Sequence, residues 1–270
     1  MEGTLYALDD RALVSVTGTD AFPFLQNLVT GDVSRVLQGG MIYSCLLTAQ
    51  GNFLHDFFIL PHQDGYLLDC DRDGVRDLVR HLEMYRLRSR VVISEYSECR
   101  AYALQGRKEG AFADPRLPEL GSRLYMWEMA DSALPVTGYD DFCIFLGVPP
   151  TRAMKAGKDY LSDINLDLLG AVSWNKGCFV GQELTARMHH RGLAKRRLLI
   201  VTGEGLEAGD RIVRADDADM GEVRTVDSAR KQGLAVLKLE ALQGGIFVSI
   251  PKNKEVKISK PRYPLEKFKD

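Results

Sequence analysis

The chain has 270 residues, 45% of them hydrophobic, and its 35 Lys and Arg stand against 37 Asp and Glu for a net charge of -2. That balance excludes a global field drawing it to nucleic acid or to a membrane surface, so any basic site must be local. No apolar run has the length of a membrane span, and Met1-Glu2-Gly3 opens without the basic start and apolar stretch of a secretory signal, which sets the expectation of a cytoplasmic protein without membrane contact.

Five cysteines, Cys45, Cys70, Cys99, Cys143 and Cys178, are odd in number and form no Cys-x-x-Cys pair. They read as reduced thiols, and their spacing weighs against a permanent zinc or iron-sulfur centre built on cysteine. His189 and His190 follow Cys178, but neighbouring histidines on a helix point in different directions and read as an exposed pair.

In chain order, Thr4 to Leu8 and Ala12 to Val16 alternate as strands. Thr17-Gly18-Thr19-Asp20 then offers a turn and a cap before a helix through Leu28. Met41 to Thr48, Phe53 to Leu60 and Tyr66 to Cys70 follow as strands. Asp73 is expected to cap an amphipathic helix through Tyr85, with Val75, Leu78, Val79, Leu82 and Tyr85 on one stripe. Val91 to Ile93 and Arg100 to Leu104 extend the sheet, and Asp114-Pro115-Arg116 and Pro149-Pro150 punctuate a loop-rich middle. Short strands from Arg197 to Val201, Arg211 to Val213, Glu222 to Val226, Leu234 to Leu239 and Phe247 to Ile250 predict a small closing β-barrel. The expected class is α+β with mixed, mostly antiparallel sheets.

The strand from Phe53 to Leu60 places Leu54, Asp56, Phe58 and Leu60 on one face and Phe53, His55, Phe57 and Ile59 on the other. A carboxylate among such neighbours loses several kcal/mol, roughly, unless donors surround it. Asp56 therefore needs a partner: backbone amides, an arginine such as Arg86 or Arg88, or a ligand.

The run Asn175-Lys176-Gly177-Cys178-Phe179-Val180-Gly181-Gln182-Glu183 carries the densest chemistry. Its glycines allow the thiol to ride an exposed turn before a helix from Gly181 to His189, and Lys176 with the helix amides would favour thiolate. The alternative is a structural cysteine in a loop. Glu183 and Arg187 stand four apart as a helix pair, and Arg187, Arg191, Lys195, Arg196 and Arg197 form a basic patch, either a solvated face or a seat for an anion.

This run, continued by Ala186-Arg187-Met188 and His190-Arg191-Gly192, resembles the signature of the folate-binding YgfZ family, related to the T-protein (aminomethyltransferase) of the glycine cleavage system. Phe24 to Val33, Tyr43 to Phe57, Tyr85 to Arg88, Asp114-Pro115-Arg116 and Gly147-Val148-Pro149 support the resemblance in order along the chain. It implies a T-protein-like three-part cloverleaf: an N-terminal α+β folate-binding part (1–110), a middle part with the Lys-Gly-Cys signature (111–194), and the C-terminal barrel (195–270). It also implies a tetrahydrofolate-dependent factor for iron-sulfur cluster assembly or repair that works with the assembly machinery and client proteins and indirectly supports tRNA modification. Cys178, Lys176 and Asp56 would be its reactive residues, and Asp56, Tyr43, Gln182, Glu183 and Arg187 its folate contacts. A folate-dependent aminomethyl or one-carbon transferase, and an interaction protein without folate, are the alternatives. Cys143 stands where relatives usually show a folate-holding arginine.

Overall fold

The computed structural model of the chain describes residues 3–128, 130, 132–192 and 194–265. It divides into two units, one of Met1–Gly138 with Leu169–Leu184 and one of Tyr139–Leu168 with Thr185–Asp270. Residues 111–194 are thus shared between the units.

In the first unit the alternating stretches become β1 (Thr4–Ala7), β2 (Arg11–Thr17), β3 (Ile42–Leu47), β4 (Phe53–His62), β5 (Gly65–Asp71), β6 (Val92–Tyr96), β7 (Arg100–Gln105), β8 (Phe112–Ala113) and β9 (Ser122–Met126). They pair into two antiparallel sheets, ordered β3-β4-β5-β2-β6 and β1-β7-β9-β8. Helices α1 (Ala21–Leu28) and α2 (Val75–Arg86) cover one face of the five-stranded sheet. Phe24, Leu25 and Leu28 of α1 and Val75, Leu78 and Leu82 of α2 join Phe57, Ile59 and Leu68 in one buried cluster, with Val79 and Tyr85 packed at its edge. The stripe expected on α2 is therefore its buried face.

Both expected caps differ. Asp20 makes no cap bond to α1 and instead accepts from the Arg90 backbone amide at 2.8 Å and from its guanidinium. At α2 the N-cap is Gly74, whose amide donates to Asp71 at 2.9 Å, so Asp71 rather than Asp73 ties down the entry to the helix.

In the second unit, β10 (Arg196–Thr202), β11 (Arg211–Arg214), β12 (Asp219–Val226), β13 (Gln232–Lys238), β14 (Phe247–Ile250) and β15 (Lys254–Ser259) close in the order β10-β13-β12-β11-β14-β15. Leu199, Val201, Ile212, Val223, Ala235, Leu237, Phe247 and Val256 fill the barrel. Asn165 serves it from outside the strands. Its amide nitrogen donates to the Leu198 carbonyl at 2.8 Å and to Tyr263 Oη at 3.0 Å, and its oxygen accepts from the Leu198 amide. Helices α3 (Val136–Leu146) and α4 (Gln182–Arg191) each begin in the first unit and end in the second.

Candidate functional site: an anchored thiol loop and a buried ion network

The segment before α4 is fixed to the first unit by bonds at several points. Thr30 Oγ1 donates to the Ala171 carbonyl at 2.6 Å and accepts from the Cys45 amide, while the Ser173 amide donates to the Thr30 carbonyl. Lys176 Nζ donates to the carbonyls of Val29 and Gly31, both at 2.7 Å. The first is the C-cap carbonyl of α1 and the second lies three residues past the helix, so the ammonium ties the loop to the turn that follows α1. Burial lowers its pKa to about 8, with Asp32 pulling the other way.

Beyond Lys176 the chain dips into the protein. Phe179 is buried and Val180 packs against the helix-covered core. Gly181 holds φ +80°, and a Cβ there would lie 2.5 Å from the Thr48 carbonyl oxygen and 3.0 Å from Gly51 Cα. Only glycine lets the loop press so closely on the β3–β4 turn. Gln182 closes the loop on itself, its side-chain oxygen accepting from the Phe179 amide and its amide donating to the Phe179 carbonyl at 3.3 Å.

Between these anchors Cys178 is exposed, whereas Cys45, Cys70 and Cys143 are buried and Cys99 is intermediate. The sequence expectation of a thiol on an exposed turn ahead of the helix thus matches its position. The two hydrogen bonds of Lys176 run to backbone carbonyls, which makes it the clamp of the loop. Glu183 and Arg187 are exposed on α4. The basic patch is not a uniform free face, since Arg197 is mostly buried and pairs with Asp167 at 2.6 Å, while Lys195 and Arg196 lie beside Lys238 and Glu240. The side chain of Arg191 is outside the described residues.

Asp56 belongs to a different construction. Across β3, β4 and β5 the register sets Tyr43 beside Phe58 and Phe58 beside Asp69. Tyr43 Oη donates to Asp56 at 2.9 Å, and Arg11 Nη1 lies 3.9 Å from the same carboxylate. Asp69 accepts from Arg11 Nε and Arg123 Nη1, each at 2.7 Å, and from Tyr125 Oη at 2.8 Å. Asp114 takes Arg116 through two nitrogens at 3.0 and 2.8 Å and lies 3.4 Å from Arg123 Nε. The Arg123 and Arg116 guanidiniums lie 3.7 and 4.9 Å from the centroid of the Phe58 ring. Three carboxylates and three guanidiniums are thereby sealed together. Burial alone would raise Asp69 and Asp114, but the arginines beside them hold both below the usual carboxylate range. Burial, with Asp56 beside it, pushes Tyr43 well above the ordinary tyrosine value.

An arginine beside Asp56 is Arg11 rather than the expected Arg86, which pairs with Glu83, and Tyr43 is a hydrogen-bond donor to Asp56. Asp56 is 4% exposed and Tyr43 is 1% exposed. As placed, the two do not present the open contacts to folate that the resemblance implied. Sequence reasoning missed Arg11, Asp69, Asp114, Arg116 and Arg123 as parts of this network. The available signal was a charge inside an apolar strand, as in Tyr66-Leu67-Leu68-Asp69-Cys70.

A cleft of about 350 Å³ opens beside the loop, lined by Asp20, Phe24, Asn27, Tyr85, Ser89 and Val180 among others. Its walls come from α1, the end of α2 and the loop itself.

Residues 195–263 match the family described as the CAF17 C-terminal beta-barrel domain. The chain is similar to the iron-sulfur cluster assembly factor IBA57, mitochondrial, of Homo sapiens, with 29% identity covering 94% of this chain and 83% of that protein. The Mus musculus protein of the same name gives 29% identity over 94% and 79%. The homolog from Coccidioides immitis gives 31% over 72% of this chain and 55% of its own. Among solved structures, the glycine cleavage system aminomethyltransferase T from Bartonella henselae superposes with a TM-score of 0.76, covering 98% of this chain and 86% of that one at 14% identity, which establishes the shared fold. These relatives are mitochondrial by name, which overturns the cytoplasmic expectation. Unpaired thiols report a reducing environment without saying which compartment provides it.

Proposed function

We propose that this chain is an iron-sulfur cluster assembly factor that acts through Cys178, presented by the pinned loop to the assembly machinery and to client proteins. The observation that carries the reading is the exposure of Cys178 on a loop whose flanking residues are fixed by buried contacts. A thiol held this way can meet a partner without first ordering its own backbone. One thiolate supplies one ligand and a cluster needs several, so the remaining ligands in a transfer complex would come from the partner. The similarity to assembly factors named IBA57 supports the same reading. Impaired cluster-dependent enzymes, including those that modify tRNA, would be the downstream effect.

The test is complementation of a strain lacking its own factor, reading the activity of cluster-dependent enzymes. Cys178→Ser should fail while Cys99→Ser succeeds, with both variants melting like wild type. Full rescue by Cys178→Ser would remove the thiol from the mechanism.

Tetrahydrofolate or a derivative is a second reading, favoured by the aminomethyltransferase fold and by the cleft beside Val180. Its volume falls near the lower end of small-molecule sites, about 300–1,000 Å³. Asp56 is already engaged by Tyr43 and Arg11, so no step is assigned to it. Calorimetric titration with tetrahydrofolate should show binding that Tyr85→Ala weakens; no heat from tetrahydrofolate or its methylene and formyl derivatives would end this reading and leave the first intact.

A further inference from the structure

Period-two alternation in β4 sends His55 to the face opposite Asp56, against α2. There it meets two residues one helical turn apart, Asp77 and His81. His55 Nε2 lies 3.0 Å from His81 Nδ1, and Asp77 Oδ2 lies 3.5 Å from the first and 3.4 Å from the second. The two imidazoles are mostly buried, with side chains 13% and 17% exposed, while Asp77 is 48% exposed. The other oxygen of Asp77, Oδ1, is taken by Arg80, which turns Oδ2 toward the imidazoles.

We propose that His55, Asp77 and His81 form a binding site for a divalent first-row transition ion, with a fourth position open to water or to an incoming ligand. Three nitrogen and oxygen donors about 2.0–2.1 Å from a tetrahedral ion stand about 3.3–3.4 Å apart. The observed edges of 3.0, 3.4 and 3.5 Å bracket that spacing. Hydrogen bonding accounts for the arrangement less well. One proton shared between the nitrogens satisfies the short edge, but 3.4 and 3.5 Å are long for bonds to the carboxylate; releasing that proton to solvent as an ion binds would turn three lone pairs on one point. Two histidines and one carboxylate with a vacant position suit zinc, ferrous iron or their neighbours rather than calcium or magnesium. Arg80 supplies the outer contact that orients a ligating carboxylate. The half-exposed Asp77 marks the side from which ion and fourth ligand would enter.

The experiment is calorimetric titration of chelator-stripped, full-length protein with Zn²⁺, followed by absorption spectroscopy with Co²⁺ and anaerobic titration with Fe²⁺. One equivalent of Zn²⁺ should bind, raise the thermal midpoint, and displace Co²⁺ from protein carrying the ligand-field bands of a tetrahedral Co²⁺ site. His81→Gln and Asp77→Asn should each weaken Zn²⁺ binding at least about tenfold. Asp77→Asn, at a half-exposed helix position, keeps the fold, and its apo melting curve checks that it does. The His189→Ala/His190→Ala double variant and Cys178→Ser should bind as wild type does. Binding that survives both His81→Gln and Asp77→Asn, binding lost in the His189/His190 variant, or no stoichiometric binding would each overturn the proposal. Tighter Fe²⁺ than Zn²⁺ binding at the same residues would support it with iron as the preferred ion.

Discussion

Arg123 donates to Asp69 across 2.7 Å with both side chains almost sealed from water, and the same guanidinium reaches Asp114 at 3.4 Å. Removing one member leaves buried charges without partners, an imbalance of about 3–5 kcal/mol. Arg123→Met should lower stability by that order, read as a fall in the urea midpoint at constant slope. Arg123→Met and Asp69→Asn together should cost much less than the sum of the two alone, because they share one network.

Gly181→Ala forces a Cβ to within 2.5 Å of the Thr48 carbonyl at a backbone angle that side chains rarely adopt. It should destabilise the protein by about 1–3 kcal/mol. The loop should also loosen locally, which hydrogen exchange of the Phe179 and Gln182 amides would detect. Protection unchanged from wild type would show that the β3–β4 turn gives way instead.

Lys176 carries a pKa lowered from 10.5 to about 8, burial being the main cause. Between those values the folded chain holds fewer protons at this site than the unfolded chain, so its contribution to stability rises with pH across that window. Compared with Lys176→Met, wild type should therefore gain stability between pH 7 and pH 10, measured as the difference in urea midpoints. A difference that stays flat would mean that Lys176 keeps its proton in the fold.

Cys178→Ser alters an exposed side chain and should shift stability by no more than about 0.5 kcal/mol. Thermal melting under reducing conditions checks this before any loss of cellular activity is assigned to the thiol.

Asn165→Ala strips three hydrogen bonds from a buried position in the second unit, leaving the Leu198 amide and carbonyl without that side-chain partner. A loss of about 1–3 kcal/mol is expected. It should appear in the barrel strands as faster exchange of the Leu198 amide.

Local pattern made the elements with a clear period legible. The alternation of β4 separates Asp56 from His55, the stripe of α2 is its buried face, and the glycines around Cys178 allow an exposed turn. What sequence could not supply was the identity of distant partners. Arg11 and Asp69 are 58 residues apart, Arg123 and Asp69 are 54 apart, and nothing local singles out either pair. Asp77 and His81 carry a readable four-residue spacing, but His55 joins them only through packing of α2 on the sheet. β15 was missed because Lys254-Glu255-Val256-Lys257-Ile258-Ser259 is mostly polar, and α3 because Val136-Thr137-Gly138 begins it with poor helix formers.

The return of residues 169–184 to the first unit has a consequence for synthesis. Thr30 and the carbonyls of Val29 and Gly31 emerge from the ribosome about 140 residues before Ala171 and Lys176 arrive to meet them. At about 5–20 residues per second, that delay is of the order of ten seconds. Meanwhile the turn after α1 must rest on water or on a chaperone, and a single cut anywhere between Gly31 and Leu169 leaves that turn and its closure on separate fragments.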